Sequence, residues 1–336
     1  MNAIVTDGLS KTYGRGRHLP LRPQTPVRAL EGLSISVKVG EIFGFLGPNG
    51  AGKSTMIRLL LGFLHPSAGQ ASVLGRDAVA DGLEIRRHVG YLPGGIALYD
   101  SMTGEGVLDY LAALYGVGTP LREHLVERLE FSGEDLRRPV RDYSRGMRQK
   151  IGLIQALQHD PELLILDEPT EGLDPLMQRA FYEVLDERRK AGRTVFLSSH
   201  ILSEVERVCD RVAIIRAGKL VALSNVEELL ARRRRHVEIR YTGEPPALDG
   251  VPGITDVHVR EGLVTCQLEG DVRPFLAAIH EAQVTDLLIE PARLEEAFLE
   301  FYSEQPAAAG ASGAAGVPAA TGTAAGSGTS AGGTPA

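Results

Sequence analysis

The chain has 336 residues, enough for more than one folding unit, and its net charge of -7 gives no sign of a nucleic-acid partner. With 43% hydrophobic and 24% charged residues, the composition is that of an ordinary globular protein. No stretch approaches the roughly 18 apolar residues of a membrane span, and residues 1–8 carry no signal-peptide pattern. If the protein works at a membrane, we expect another chain to supply the membrane part.

Short apolar runs alternate with helical patterns along the first part of the chain. Four of them are continuously apolar and of strand length, which suits a mostly parallel sheet covered on both faces, at residues 42–46, 163–166, 194–197 and 212–215. The earlier runs 4–9 and 33–37 alternate polar and apolar residues, which predicts antiparallel strands. The Gly-, Pro- and Arg-rich segment 14–26 is predicted to be an exposed insertion between them.

The pattern changes near residues 231–235. Beyond this point we predict a small α+β domain over 236–303, with strands at 236–241, 254–259, 263–268 and 287–290 and helices at 272–283 and 294–302. Residues 305–336 are almost entirely Ala, Gly, Ser, Thr and Pro and are predicted to be disordered, because they cannot bury enough apolar surface.

Residues 47–55 match the phosphate-loop pattern G-x-x-x-x-G-K-[ST], between an apolar strand and a helical pattern at 53–63. Glycines let backbone N–H groups surround phosphates, and the helix start adds partial positive charge. We expect Lys53 to reach the β- and γ-phosphates of a nucleotide and the Ser54 hydroxyl to coordinate magnesium. The predicted nucleotide-binding residues are Gly47, Pro48, Asn49, Gly50, Ala51, Gly52, Lys53, Ser54 and Thr55.

Two carboxylates follow the apolar run 163–166. We expect Asp167, at the carboxyl end of that strand, to hold magnesium through water, and Glu168 to polarise the attacking water. Two solvated acids at a strand end would be the simpler interpretation of this pair alone. The phosphate loop earlier in the chain favours the catalytic interpretation.

A second anion site is predicted in residues 143–150, Tyr-Ser-Arg-Gly-Met-Arg-Gln-Lys, just before the helical pattern 151–158. The hydroxyl of Ser144 and the free N–H groups of a helix start would make it. One compact domain can hardly present two such sites to one nucleotide. We therefore expect two copies to face each other head to tail, with two ATP molecules in a twofold interface.

Taken together, these motifs resemble the ATP-binding cassette family, the nucleotide-binding domains of ABC transporters. The motifs occur in that family's order, with Walker A at 47–55, the signature loop at 143–147, Walker B at 163–168 and the D-loop at 172–175. The resemblance covers roughly residues 2–225. It implies an α/β P-loop NTPase domain over 2–230, with an N-terminal antiparallel β part and a helical subdomain at about 96–160.

The resemblance also implies roles for single residues. It gives Tyr13 stacking on adenine and His200 the contact with the γ-phosphate. The catalytic residues it implies are Lys53, Glu168 and His200, with Ser54 and Asp167 as magnesium ligands. The signature and D-loop residues expected to contact the nucleotide are Ser144, Arg145, Gly146, Met147 and Asp174. The cofactors implied are ATP and Mg²⁺, bound by a dimer that closes on ATP and opens after hydrolysis.

Two departures from the family pattern stand out. Arg145 and Met147 replace a glycine and the glutamine of the usual Leu-Ser-Gly-Gly-Gln signature, but Ser144 and Gly146 remain, so we expect binding across the dimer to survive. The Q-loop residue should follow residues 91–93, where Gly94 offers no side chain for magnesium. A nearby group or water would then replace the missing side chain as a magnesium ligand, or ATP hydrolysis would be slower. The alternative is that the assumed match to the family pattern is off by a few residues.

Within the family, the chain resembles the ATP-binding subunits of two-component bacterial exporters of the daunorubicin-resistance type, through residues 91–94, 143–150 and 290–302. This resemblance implies a separate multi-span membrane permease, a place at the cytoplasmic face of the cell membrane, and export of drug, antibiotic or lipid-like cargo. A full set of motifs in one chain permits a homodimer.

Other functions stay open from the sequence. A soluble ABC-type ATPase without a membrane partner would typically carry two cassettes or a long insertion. A P-loop kinase or GTPase would not need residues 143–147. Gly94 keeps a non-hydrolytic nucleotide sensor open, and Glu168 argues against it. Apolar residues at helical spacing in the helical subdomain fit either a docking face or a core: Val107, Leu108, Leu111, Leu114 and Tyr115.

Overall fold

The computed structural model describes residues 1–14, 26–231 and 235–290. The chain begins with β1 (Asn2–Tyr13), β2 (Val27–Leu33), β3 (Ser36–Lys38), β4 (Ile42–Leu46), α1 (Lys53–Leu60), β5 (Ala68–Val73), β6 (Arg76–Asp77), α2 (Gly82–His88) and β7 (Val89–Leu92). A helical stretch follows, with α3 (Gly104–Tyr115), α4 (Arg122–Arg128), α5 (Gly133–Arg137), a 3-10 turn (Val140–Asp142) and α6 (Arg145–Leu157).

Strands and helices then alternate again. The next elements are β8 (Leu163–Asp167), α7 (Pro175–Lys190), β9 (Thr194–Ser199), α8 (Leu202–Val208), β10 (Arg211–Arg216), β11 (Lys219–Asn225) and α9 (Val226–Ala231). The last described elements are β12 (Arg235–Tyr241), β13 (Ile254–Arg260), β14 (Leu263–Leu268), α10 (Arg273–Ile279) and β15 (Val284–Ile289).

The central sheet has the strand order β11-β10-β4-β9-β8-β7. Five of its strands run parallel, and β11 pairs antiparallel with β10 at the edge. Every residue of β4 and β8 is buried, as their continuous apolar sequences predict for strands covered on both faces. The predicted α/β fold with a mostly parallel sheet is therefore confirmed. Parallel pairing brings the carboxyl ends of β4, β8 and β9 to one edge, and the functional side chains lie there.

Two hydrophobic cores lie on the two faces of this sheet. Alternate residues of β9 divide between them: Val195 and Leu197 pack with α6, α7 and α8, and Phe196 packs with α1 and the N-terminal strands. Phe196 stacks on Phe43 with ring centroids 6.0 Å apart and contacts Phe45 at 5.4 Å. These contacts fix β4 against β9, the two strands that flank the phosphate loop.

The N-terminal sheet has the order β2-β1-β5-β6, with β3 also on β1, and every pair is antiparallel as predicted. The prediction of one strand over residues 33–37 is wrong, because β2 ends at Leu33 and β3 begins at Ser36. The buried hydroxyl of Thr6 donates to Leu33 O at 3.1 Å and accepts from Ile35 N at 3.0 Å. This side chain replaces ladder hydrogen bonds and bends the chain between the two strands.

The helical stretch between β7 and β8 buries part of its apolar face. Val107 and Leu108 are fully buried, and Leu111 packs against the same core. These three residues therefore belong to the core, whereas Leu114 on the same helix is exposed. Thr103 caps the start of α3 by accepting from Gly106 N at 3.1 Å, and Gly116 ends the helix in a left-handed conformation.

The last described strands form a sheet of order β13-β14-β12-β15, with a core that includes Val237, Val264 and Phe275. The final strand begins at Val284, earlier than predicted, because Val284 pairs with Tyr241 beside a register shift. Three predictions lie wholly or mainly outside the described residues: the insertion 14–26, the helix 294–302 and the tail 305–336. Over the parts of the chain that the structure describes, no helix combines the length and apolarity of a membrane span.

His159, just after α6, is a buried imidazole without a polar partner. Its ring stacks on Tyr115 with centroids 4.1 Å apart. Within residues 1–14, 26–231 and 235–290, neither ring nitrogen has a hydrogen-bond partner. Burial lowers the pKa of His159 to about 4, against a smaller opposing effect of Asp160. The unfolded chain, with a pKa near 6.5, therefore binds a proton at mildly acidic pH that the folded protein does not.

We expect His159→Phe to reduce the acid sensitivity of the fold while keeping the ring stacked on Tyr115. In the wild type, this imidazole should lower the free energy of unfolding by about 2 kcal/mol as the pH falls from 7.5 to 5. At pH values above the pKa of the unfolded state, it should have no effect on stability. Urea unfolding of both proteins at the two pH values measures the difference. His65→Gln, at an exposed imidazole, is the control. An identical pH dependence in wild type and His159→Phe would contradict the prediction.

Candidate active site

The phosphate loop lies between β4 and α1, and two of its glycines are required by close packing. A Cβ on Gly47 would lie 2.6 Å from Ile215 O, and one on Gly52 would lie 2.5 Å from Ala29 O. Gly52 also has a φ of 112°, a conformation that side chains disfavour. It precedes α1 without a side-chain cap, so the first N–H groups of that helix face the loop as an anion site.

Lys53 directs its ammonium group to the centre of the site. The side chain is buried, and Nζ donates to Gly47 O at 2.6 Å and, at the longer distance of 3.4 Å, to Pro48 O. Its charge pairs with Glu168 Oε1 at 3.0 Å. The ammonium therefore holds the phosphate loop and the acidic strand end together, and a phosphate oxygen in the loop would compete with the longer bond to Pro48 O.

Asp167 joins three elements of the fold. It ends β8, is buried, and accepts hydrogen bonds from Ser54 Oγ on α1 at 2.8 Å and from Ser198 Oγ on β9. A carboxylate and a hydroxyl side by side are oxygen ligands of the type that Mg²⁺ prefers, so the two residues predicted as magnesium ligands fit that ion. The sequence analysis did not identify Ser198, although a polar residue directly after an apolar run of strand length is a signal of a functional side chain.

Glu168 connects two of the predicted catalytic residues. Besides Lys53, its carboxylate contacts His200 Nδ1, 2.7 Å from Oε2. Its backbone has a φ of 51°, which few residues other than glycine adopt, and its N–H donates to Ser198 O at 3.1 Å. Such strain persists only where the surroundings impose it. The structure thus brings Lys53, Glu168 and His200 into one chain of contacts.

A cavity opens over Lys53 and Glu168. Its volume of about 600 Å³ is within the range of small-molecule sites. Its lining includes most of the predicted phosphate loop and both acids: Asn49, Gly50, Gly52, Lys53, Ser54, Thr55, Asp167 and Glu168. Tyr13 also lines it, with its hydroxyl 3.4 Å from Thr55 Oγ1 and its ring 5.5 Å from Lys11 Nζ. An aromatic ring therefore lies at one side of the cavity, as the predicted adenine contact requires.

Gly94 lines the cavity beside the predicted magnesium ligands. A Cβ at this position would lie 3.1 Å from Asp167 Oδ2, whereas a Cβ on Gly95 would meet nothing within 4 Å. Gly94 therefore faces Asp167, which favours this glycine as the residue at the Q-loop place over an error in register. No side chain at Gly94 can ligate the metal.

The signature residues lie at the start of α6, apart from this lining. Ser144 caps the helix by accepting from Met147 N at 3.2 Å, and Arg145 pairs with Glu171. The signature and D-loop residues predicted to contact the nucleotide are absent from the lining within the described parts of the chain: Ser144, Arg145, Gly146, Met147 and Asp174. Asp174 caps α7 by accepting from Leu176 N and Met177 N, both at 3.0 Å, a structural role that sequence reasoning missed.

The fold and the site define a P-loop ATPase of the cassette type, and comparison with known proteins gives the same class. The ABC transporter family matches residues 30–171 of the chain. An ABC transporter ATP-binding protein of Nostoc sp. is 35% identical over 311 residues, covering 90% of this chain and 91% of that protein.

Several relatives have names that state a compound. The bacitracin transport ATP-binding protein BcrA of Bacillus licheniformis is 34% identical over 293 residues, covering 85% of this chain and 89% of that protein. The daunorubicin resistance ATP-binding protein DrrA3 of Streptomyces coeruleorubidus is 35% identical over 316 residues, with coverages of 88% and 95%. The predicted resemblance to the daunorubicin-resistance type is confirmed.

Solved structures agree on the fold. The ATP-binding subunit of an ABC transporter has a TM-score of 0.59 at 30% identity, covering 68% of this chain and 91% of that one. The bacterial cassette MJ0796 has a TM-score of 0.60 at 20% identity, with coverages of 66% and 98%. The chain belongs to the ABC transporter ATP-binding proteins and carries their ATP-binding and ATP-hydrolysing domain.

We expect Gly94→Ala to lower ATP turnover roughly threefold to tenfold, because the added Cβ presses on Asp167, which two serines hold in place. Gly95→Ala adds the same atom in open space and should leave turnover within about twofold. Steady-state phosphate release measures both. Gly94→Gln should not exceed the wild type; a faster Gly94→Gln enzyme would mean that the missing side chain, and not the available space, limits hydrolysis.

Proposed function

We propose that residues 2–230 form the ATP-driven motor of an exporter and act on a separate membrane-spanning permease. The chain of contacts from Lys53 through Glu168 to His200 carries the proposal, because it joins a phosphate-binding cation and a base, which line one cavity, to a histidine that contacts the base. The names of BcrA and DrrA3, which state bacitracin transport and daunorubicin resistance, support export of antibiotic or drug-like cargo.

The geometry fits hydrolysis of the γ-phosphate of ATP by a water molecule. Lys53 would bind phosphate oxygens through its ammonium group, and the N–H groups at the start of α1 would hold the same charge. Ser54 and Asp167 would hold magnesium, which when bound neutralises phosphate charge. Tyr13 would stack on the adenine ring.

Glu168 is the base in this proposal. Its carboxylate would accept a hydrogen bond from water and orient that water towards the γ-phosphorus. The bond between the γ-phosphorus and the bridging oxygen breaks, and ADP and phosphate leave. His200 contacts Glu168 at 2.7 Å, so it would fix the direction of the carboxylate and reach the γ-phosphate from the same side.

Glu168→Gln tests the base. We expect kcat to fall by a factor on the order of 10² to 10³, because an amide keeps the shape but cannot accept a proton. ATP affinity, measured with a fluorescent analogue, should stay within about threefold, since the phosphate loop is unchanged. Glu187→Gln, on α7 and outside the cavity lining, is the matched control. Equal turnover by Glu168→Gln and wild type would remove Glu168 from the mechanism.

We infer that the hydrolytic unit is a homodimer with two composite sites. Ser144 and Gly146 form a helix start that lies outside the nucleotide cavity of their own chain, so this anion site would serve the nucleotide of a second copy. The solved cassette MJ0796 is a dimer, which supports the same arrangement here. One subunit alone would then bind ATP but hydrolyse it poorly.

Mixing two inactive variants tests the composite site. Lys53→Ala removes the phosphate cation, and Ser144→Arg blocks the signature helix start, so each homodimer should be inactive. An equimolar mixture should recover about a quarter of wild-type turnover, because half of the dimers are mixed and each has one intact site. Separate preparations at the same total concentration are the control. No recovery on mixing, with both variants folded and dimeric, would exclude sites shared between subunits.

The permease is the partner that this proposal requires, and it would place the chain at the cytoplasmic face of the cell membrane. Reading frames next to the gene should include one with about six apolar segments of spanning length. Co-expression with that protein should bring this chain to the membrane fraction. A chain that stays in the supernatant and turns over ATP there would favour the alternative, an ABC-type ATPase without a membrane partner.

A further inference from the structure

Glu204 is a buried carboxylate next to the site. It lies in the first turn of α8 and is only 5% exposed. Its two oxygens have different partners: Oε1 accepts from the hydroxyl of Thr170, and Oε2 accepts from Ser199 Oγ at 2.6 Å. A buried carboxylate is costly unless donors surround it, and both of these donors come from outside α8.

The two donors lie beside the two reacting groups, Thr170 in the loop after β8 and Ser199 at the end of β9. Thr170 follows Glu168 by two residues, and Ser199 directly precedes His200. Ser199 Oγ also accepts from Ile201 N at 2.9 Å, so the hydroxyl clamps the chain on both sides of the histidine. One carboxylate therefore links the loop after β8 to the end of β9, where His200 follows.

We propose that Glu204 is a positioning residue, which holds Glu168 and His200 at contact distance by bonding Thr170 with one oxygen and Ser199 with the other. The inference rests on the proposed ATP hydrolysis at the same site. Without this link, Glu168 and His200 would each stay at the end of their own strand, but the distance between them would no longer be fixed. Misplacement of a catalytic group by about 1 Å can reduce turnover on the order of 10²-fold.

Apolar contacts hold α8 itself. Val205 is fully buried in the core on one face of the sheet, and Leu202 packs against that core. The carboxylate is therefore not required to attach α8 to the core. Its two hydrogen bonds act on the segments that carry Glu168 and His200. The Tyr182 hydroxyl, on α7, is the third group near Glu204: burial and the nearby Glu204 charge raise the pKa of Tyr182, which keeps the phenol protonated as a donor.

Nucleotide binding should not depend on this link. Lys53 is held by the Gly47 carbonyl and by Glu168, and Ser54 by Asp167. None of these contacts passes through Glu204. A variant that loses the carboxylate should therefore lose kcat and keep affinity, whereas general loss of structure would change both.

The test compares Glu204→Gln, Glu204→Ala and Glu206→Gln with wild type. We expect Glu204→Ala to lower kcat roughly 30-fold to 100-fold with KM within about threefold, and Glu204→Gln to retain more activity, because an amide still bonds both hydroxyls. Glu206→Gln changes a carboxylate on the same helix, two residues on and facing elsewhere, and should stay within about twofold. Thermal unfolding of each protein measures folding in parallel.

A second route avoids any change on α8. Thr170→Val combined with Ser199→Ala removes both donors and should lower kcat as far as Glu204→Ala does, and the triple variant should lower it no further. Unchanged kcat in Glu204→Ala, or equal losses of affinity, Tm and kcat in Glu204→Gln, would overturn the positioning role. Absence of ATP turnover in the wild type would instead overturn the proposed function.

Discussion

The carboxylate of Asp167 is the constraint on which the rest of the site depends. A buried charge needs donors, and the two that it has come from Ser54 and Ser198, on α1 and β9. These elements meet Asp167 only because parallel strands end at one edge of the sheet. Once Asp167 is fixed, its neighbour Glu168 must point towards Lys53, and the strained backbone of Glu168 is the consequence.

Local sequence predicts the parts of the fold that depend on continuous burial or on backbone space. The apolar runs of β4 and β8 predict buried parallel strands, and Gly47 and Gly52 have no room for a Cβ. Local sequence fails where a remote side chain decides. The strand break after Leu33 is set by the hydroxyl of Thr6, and Glu204 has no local sign that it also bonds Thr170, 34 residues earlier.

The glycine at the Q-loop place, Gly94, lies directly beside the carboxylate of Asp167. The sequence indicates a missing ligand at Gly94, and in the structure a Cβ at this position would lie 3.1 Å from the carboxylate of Asp167, which is a tight contact. Hydrogen bonds from Ser54 and Ser198 hold that carboxylate in place. Glycine therefore leaves Asp167 unhindered, and the remaining ligands of a bound magnesium would come from water and phosphate.

Beside the signature loop, a glycine also leaves room for a neighbouring side chain. Arg145 stands where the family pattern has a glycine, and its side chain lies against Gly172, where a Cβ would meet Arg145 Cγ at 3.1 Å. Gly172 has a φ of 85°, so a side chain there would be strained as well as crowded. Arg145 then pairs with Glu171, which lines the nucleotide cavity. In a dimer with composite sites, this pair would connect the helix start that serves one nucleotide with the cavity that holds the other.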